Sequence, residues 1–415
     1  MAATTPALPL EGVERLTPHV DRIRVLDVLR GIALLGMFLV HFSYYSVGGG
    51  RLGDAYMKVV ELFFEERFWT MFGILFGVGF AIQLRRSEAR GGSFVPKYLR
   101  RLAALAVFGF IAHAVFGFNV LLAYAVWGLP LLLVRTWSVR ALIIALMLSA
   151  ASFNIYWVAR TTYAVETRGE EAWRAERRAA VAGDRAFNDA NGKARDAKSY
   201  ATVFAARLRH MRWFYAQWFS FLPVNNFTLF LLGVLALRLG IFDRPEQHRR
   251  LIVALMAFGV AAWALDTWLL PRPSPELPAP LIPNLIVAQV KGGYGLIRGM
   301  WLAFTYIGAV LLLVVHDPAW LRRLAAFGWT GRMALTNYMV QIAILDLLFA
   351  KYALGLSVHP LVGLASALAL FAVDALFSRW WLARFRYGPL EWLWRSATYA
   401  RWQPWRTNEL GVTAR

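Results

Sequence analysis

The sequence predicts an all-α, polytopic membrane protein, and three observations point there. Of its 415 residues 59% are hydrophobic and only 17% are charged, a balance far from that of a soluble globular chain. Apolar runs of about 20 residues, the length that crosses a bilayer as a helix, recur along the chain. Clusters of Arg and Lys sit between those runs, the pattern that orients membrane helices. The formal net charge of +20 would suggest nucleic acid in a soluble chain. Here the cations lie between apolar segments and in the tail, so no nucleic-acid partner is expected; the partner is the lipid bilayer.

The runs predict about ten transmembrane helices, near 26–46, 67–84, 102–118, 120–135, 140–159, 223–240, 251–270, 297–316, 333–350 and 358–377. They belong to one membrane domain over 25–399, between a polar tail over 1–24 and a second tail over 400–415. No small-residue cleavage site follows the first run, so it is expected to persist as an uncleaved helix. The third and fourth spans meet around Phe118 and Asn119 with almost no linker, which predicts a tight hairpin. Basic clusters from Arg85 to Arg101, Arg238 to Arg250, Arg322 to Arg332 and Arg379 to Arg386 put those loops, and both termini, on the cytoplasmic side.

Between the fifth and sixth spans lies an outer-side insertion over about 160–220, rich in helix formers. It predicts two amphipathic surface helices with a break at Asn188 to Gly192 and interfacial anchors at Trp213, Phe214, Tyr215 and Trp218. The stretch from Leu270 to Pro283 is proline-rich and expected to be extended. Gly73 and Gly77 stand four apart in the second span, with Gly79 beyond, a spacing that lets a neighbouring backbone approach closely. After the last span, WWLARFRYGPLEWLWRSATY suits an interfacial helix with Trp392, Trp394 and Arg395 at headgroup level.

The absence of cysteine excludes disulfides, thiol nucleophiles and thiolate metal sites. The histidines are scattered without H-x-x-x-H or H-E-x-x-H spacing, so no metal site is expected, and no phosphate-binding glycine loop occurs. Chemistry concentrates instead in the first span, VLDVLRGIALLGMFLVHFSYYS, where Asp27, Arg30 and His41 interrupt an apolar run and charges are expensive. Arg30 and His41 are eleven residues apart, so on a helix they share one face about 16 Å apart along the axis. A neutral imidazole at His41 could act as a general base, or simply close a hydrogen bond at a helix end. Arg30 could recognise phosphate oxygens, or snorkel to the interface paired with Asp27 one turn earlier. His113, Asn225, Asn226, Asp266, Arg298, Asn337, Gln341, Asp346 and Asp374 are further intramembrane polar groups suited to interhelical hydrogen bonds. Asn337 and Gln341 are four apart and share a helix face. Arg67, beside Glu65 and Glu66, could close an ion-pair network at the outer mouth of the second span.

Three phrases, YGPLEWLWR from Tyr387 to Arg395, GRMALTNY from Gly331 to Tyr338 and FGILFGVG from Phe72 to Gly79, resemble those of the bacterial YeiB family, domain of unknown function 418. The resemblance extends from about Asp27 to Tyr399 and implies a multi-pass protein of the bacterial inner (plasma) membrane. The first helix is also similar to that of the acyltransferase-3 and heparan N-acetyltransferase group, in which a basic residue is followed after ten others by histidine, as Arg30 is by His41. Asn119 departs from the aspartate usual there in the YeiB family, which removes any role needing a carboxylate at that position.

The resemblance implies a membrane acyltransferase that moves a short acyl group from a cytoplasmic acyl-CoA-like donor to a hydroxyl or amine of an envelope glycan or a small-molecule acceptor. His41 is then the expected catalytic base, and Arg30, Asp27, His113, Asn337 and Gln341 the expected donor and substrate contacts. No tightly bound cofactor is expected, acyl-CoA entering as co-substrate. The alternative is a transporter or exporter of a small amphipathic solute, to which a scatter of midplane polar groups also corresponds.

Overall fold

The computed structural model describes residues 18–118, 120–221, 223–269, 281–287 and 298–406. The tail before residue 18, Asn119, the proline-rich stretch over 270–280 and the tail beyond 406 lie outside the described residues, as do the side chains of Trp218, Asn225, Asp266 and Arg298. Among the described residues regular structure is entirely helical, the only β pairing being isolated bridges at Ser46 with Val358 and Phe385 with Arg406.

In chain order the helices are α1 (Pro18–Ser43), α2 (Gly50–Val59), α3 (Arg67–Glu88), α4 (Val95–Phe116), α5 (Val120–Gly128), α6 (Leu131–Val134), α7 (Val139–Arg168), α8 (Glu170–Arg195) and α9 (Tyr200–Phe221). They continue as α10 (Pro223–Arg238), α11 (Arg249–Ala264), α12 (Arg298–His316), α13 (Trp320–Arg323), α14 (Ala325–Arg332), α15 (Ala334–Phe349), α16 (Pro360–Leu382) and α17 (Pro389–Tyr399). Single π-helical turns extend α2 over Val60–Phe64 and α11 over Leu265–Leu269.

Among the described residues, length and composition alone single out four helical stretches able to cross a membrane: Arg24–Ser43, Gly50–Glu88, Val95–Phe116 and Pro360–Leu382. The count is six if each bent pair, within α7 and at α14–α15, is one span. Several of the expected spans therefore take a different form. The fourth divides into α5 and α6 around Pro130, because proline cannot donate its missing N–H to a continuing helix. The ninth, α15, is preceded by α14 at an 84° bend. The fifth runs on as α7 to Arg168, and α8 passes unbroken through Asn188 to Gly192, the insertion turning instead between Arg195 and Tyr200. One glycine costs a helix only about 1 kcal/mol, and packing of α8 on α9 offsets it. The short helix over 281–287 ends the expected extended stretch before Pro283.

The core is built around α1, which is almost wholly buried and packs chiefly against α14, then against α16, α3, α15 and α12. Its closest crossing is made by glycines on both sides. A Cβ at Gly31 would lie 2.0 Å from the Phe327 carbonyl oxygen, and one at Gly331 would lie 1.8 Å from that of Asp27. The α3–α10 crossing repeats the device: Gly77 meets the Phe230 backbone and Gly233 meets Ile74, as the small-residue spacing predicts.

Candidate functional site

Near the middle of α1, Arg30 donates to Asp27 Oδ1 at 2.8 Å, the i, i+3 pair expected from the sequence. Asp27 is buried while the Arg30 side chain keeps 31% of its surface exposed, so the guanidinium retains donors directed outward. The exposed Arg332, from the end of α14, also acts electrostatically on Asp27.

In the last turn of α1 His41 is buried, with its ring 4.8 Å from that of Phe118 and its Nδ1 3.1 Å from Nε2 of Gln341 on α15. The amide can meet Nδ1 with either end: its NH2 donates to a bare Nδ1, or its carbonyl accepts from Nδ1–H. The second arrangement leaves Nε2 unprotonated and able to take a proton, the same logic by which a second group fixes the tautomer of a working histidine. Among the described residues His41 is the one hydrogen-bond partner of the Gln341 amide, so its other end is unpartnered in either arrangement.

The insertion covers this end. Val203, Ala206 and Arg207 form the buried stripe of α9, and Arg207 pairs with Asp346, five residues beyond Gln341. Arg207 also donates to the Val115 carbonyl at the end of α4, and Tyr352 donates to the other oxygen of Asp346. Lys351 and Asp196, 2.7 Å apart, add a tie from the end of α8. Tyr45 stacks on Phe349 with ring centroids 4.4 Å apart beneath this roof. A pocket of about 460 Å³ lined by Ser43, Tyr44, Asp54, Lys58, Glu61 and Glu65 opens beside the last turn of α1.

The residues expected at the site separate into groups. Asp27 joins Arg30 and Gln341 joins His41. Asn337 instead donates to the Thr330 carbonyl at 3.1 Å and lies 3.0 Å from Ser378 Oγ, bridging the α14–α15 bend to α16. His113 meets His210 of α9, Nε2 to Nδ1 at 3.4 Å, with its own Nδ1 buried and without a partner among the described residues. Asn226 and Asp374 are buried, each with one side-chain oxygen that has no partner among the described residues. Arg67 donates to the carbonyls of Glu65 and Leu62, holding the π turn against α3. Of the aromatic residues expected at the interface, Trp213 stacks on Phe187, and Phe214 and Tyr215 pack around His113. Sequence reasoning missed Arg207 and His210. Their signal is the spacing Val203, Ala206, Arg207, His210, which puts both on the apolar stripe of α9 rather than its wet face.

The phrases that carry the family resemblance also meet in space. Glu391, from YGPLEWLWR, accepts from the Leu335 and Thr336 backbone N–H groups at 2.6 and 3.0 Å and lies 2.6 Å from Thr336 Oγ1, all in GRMALTNY. The tail helix thereby satisfies orphan donors at the start of α15.

The fold defines an all-helical protein with several helices able to span a membrane, organised around one buried helix that carries one polar pair near its middle and another in its last turn. A family model described as a protein of unknown function (DUF418) matches residues 236–401. The chain is 32% identical to the uncharacterized protein YxaH of Bacillus subtilis (strain 168), over 92% of this chain and 96% of that one. It is 27% identical to an uncharacterized 39.9 kDa protein in the amylase 3' region of Bacillus acidopullulyticus, over 92% and 95% of the two chains. It is 28% identical to the uncharacterized protein YeiB of Escherichia coli (strain K12), over 91% and 96%. The chain belongs to the YeiB-like, DUF418 family. No solved structure matches it.

Proposed function

We propose that this protein is a bacterial inner-membrane acyltransferase that moves a short acyl group from a cytoplasmic acyl-CoA-like donor to a hydroxyl or amine of an envelope glycan or small-molecule acceptor. The observation that carries this reading is the arrangement on α1. Arg30, partly exposed and held by Asp27, and His41, buried and held by Gln341, stand on the same central helix about 16 Å apart. Arg30 offers a guanidinium for the donor's phosphates, and His41 in the last turn offers an imidazole whose tautomer a neighbour can set.

In the reaction the acceptor oxygen or nitrogen attacks the thioester carbonyl while His41 Nε2 takes its proton. The carbon–sulfur bond breaks, and the imidazolium returns the proton to the departing thiolate. With no cysteine in the chain, an acyl-thioester on the protein is excluded, so transfer is direct or passes through an acyl-histidine. A bent helix pair such as α14–α15 would also suit a transporter, whose half-helix ends bind substrate. Here the start of α15 is already occupied by Glu391, which favours the transferase reading.

The test uses sealed proteoliposomes with acyl-labelled acyl-CoA on the Arg30 side and an amine or sugar acceptor on the other. Label is expected on the enclosed acceptor. Movement of an unmodified solute without any acyl donor would contradict the proposal.

A further inference from the structure

At the Arg30 end of the bundle one cation has no counter-charge among the described residues. Arg101 lies on α4 with its guanidinium stacked 4.2 Å from the Trp394 ring centroid and 6.0 Å from that of Phe76. The stack is fixed from both sides: Trp394 Nε1 donates to the Arg101 carbonyl at 2.8 Å, and Tyr98, one turn earlier, donates to the Gly128 carbonyl at 3.1 Å. Arg101 Nε is shut off from solvent and has no hydrogen-bond partner among the described residues. Among the described residues no carboxylate acts on this guanidinium. Its charged neighbours are Arg30 and Arg395, both near enough to repel it.

The acids nearby are already engaged. Asp27 accepts from Arg30, and Glu391 accepts from the start of α15. Arg395 is itself held in place, 4.9 Å from the Tyr387 ring centroid and 5.2 Å from that of Tyr399. Three guanidiniums from α1, α4 and α17 therefore act on one another here: Arg395 is exposed and Arg30 partly so, while Arg101 is half-buried with its Nε cut off from solvent, and like charges drawn together in this way call for an anion to compensate them. A guanidinium over an indole face carries its N–H donors at its own edge, and that planar fork matches the oxygens of a phosphate.

We propose that Arg101, flanked by Arg30 and Arg395, forms a binding site for a phosphate or pyrophosphate group. The site stands on its own geometry. Assigning its occupant to the phosphates of the acyl donor rests on the transferase reading. The other source of the same chemistry is an anionic lipid headgroup, since an apolar groove of about 550 Å³ between α4 and α17 begins one turn along at Ala104 and ends on Arg401.

The experiment measures binding of inorganic pyrophosphate, coenzyme A and short-chain phosphatidylglycerol, each separately, to the full chain in phosphatidylcholine nanodiscs. Saturable pyrophosphate binding is expected, weakened at least tenfold in Arg101→Gln. The exposed Arg395→Gln is expected to weaken it several-fold with no change in Tm. If Arg101→Gln does not fold, Arg395→Gln decides alone. Coenzyme A binding more tightly than pyrophosphate, with phosphatidylglycerol indifferent to the substitutions, assigns the site to the donor. The reverse keeps the site and overturns the donor assignment. Pyrophosphate affinity that is absent, or unchanged within twofold in the folded variants, overturns the site. His41→Ala is expected to leave pyrophosphate affinity intact, so transfer failing with the site intact, and the site failing with transfer intact, are distinct results.

Discussion

Arg207 and Asp346 stand far apart in the chain and meet in a buried ion pair that no pattern in the sequence sets side by side. Taking charges out of water is repaid only if both partners stay, so removing one leaves an uncompensated buried charge. Arg207→Ala is therefore expected to lower stability by about 3–5 kcal/mol, and Arg207→Met with Asp346→Leu to recover most of it. Thermal unfolding of the three variants checks this. In the proposed reaction Gln341 would act through His41, so Gln341→Leu is expected to lower transfer roughly 10²-fold by releasing the ring, with folding intact. The pairing of Asp27 with Arg30 was legible because both residues lie on one turn of one helix. The pairing of His41 with Gln341 was legible only as two polar groups needing partners, since which helices become neighbours depends on the tertiary fold.

Helices with uninterrupted apolar runs were legible to within a few residues, as α3, α12 and α16 illustrate. Breaks and continuations were not, because they answer to packing: α8 continues through Gly192 against α9, whereas α15 starts afresh at a bend closed by Glu391. Two predictions belong at this scale. Gly31→Ala would drive a methyl group to within 2.0 Å of the Phe327 carbonyl oxygen and part α1 from α14, costing about 1–3 kcal/mol or more. Gly79→Ala meets only Arg30 Nη2, at 3.9 Å, and is expected to leave folded yield unchanged. The second prediction concerns pH. Burial, the largest influence, pushes the Glu391 carboxyl above its ordinary value of 4.5, against the opposing pull of the donors at Thr336 and Leu335. The folded state then holds this proton more tightly than the unfolded chain. Its contribution is fully present below 4.5 and lost as pH rises through the raised folded value. Glu391→Gln, which keeps an acceptor without a proton to lose, is expected to flatten that decline, so its Tm should gain on the wild type as pH rises from 4 to 8.

Across the whole molecule, composition and cation placement made the all-helical membrane class legible. The way the ends are closed was not, since α9 covers the His41 end through the few buried residues of one stripe. Because the chain contains no cysteine, single introduced cysteines report sidedness without background. With the proposed orientation, Ala179→Cys in α8 is expected to react with a membrane-impermeant maleimide on intact spheroplasts. Arg90→Cys, beyond α3, is expected to react only after permeabilisation.

The central claim is that His41 takes the acceptor's proton. Single-turnover acyl transfer by purified wild-type and His41→Ala protein, at saturating acyl-CoA and across pH 5 to 9, tests it most directly. The account predicts a loss of about 10²–10⁴-fold in the variant with donor binding preserved. Transfer at the wild-type rate by folded His41→Ala protein would contradict it.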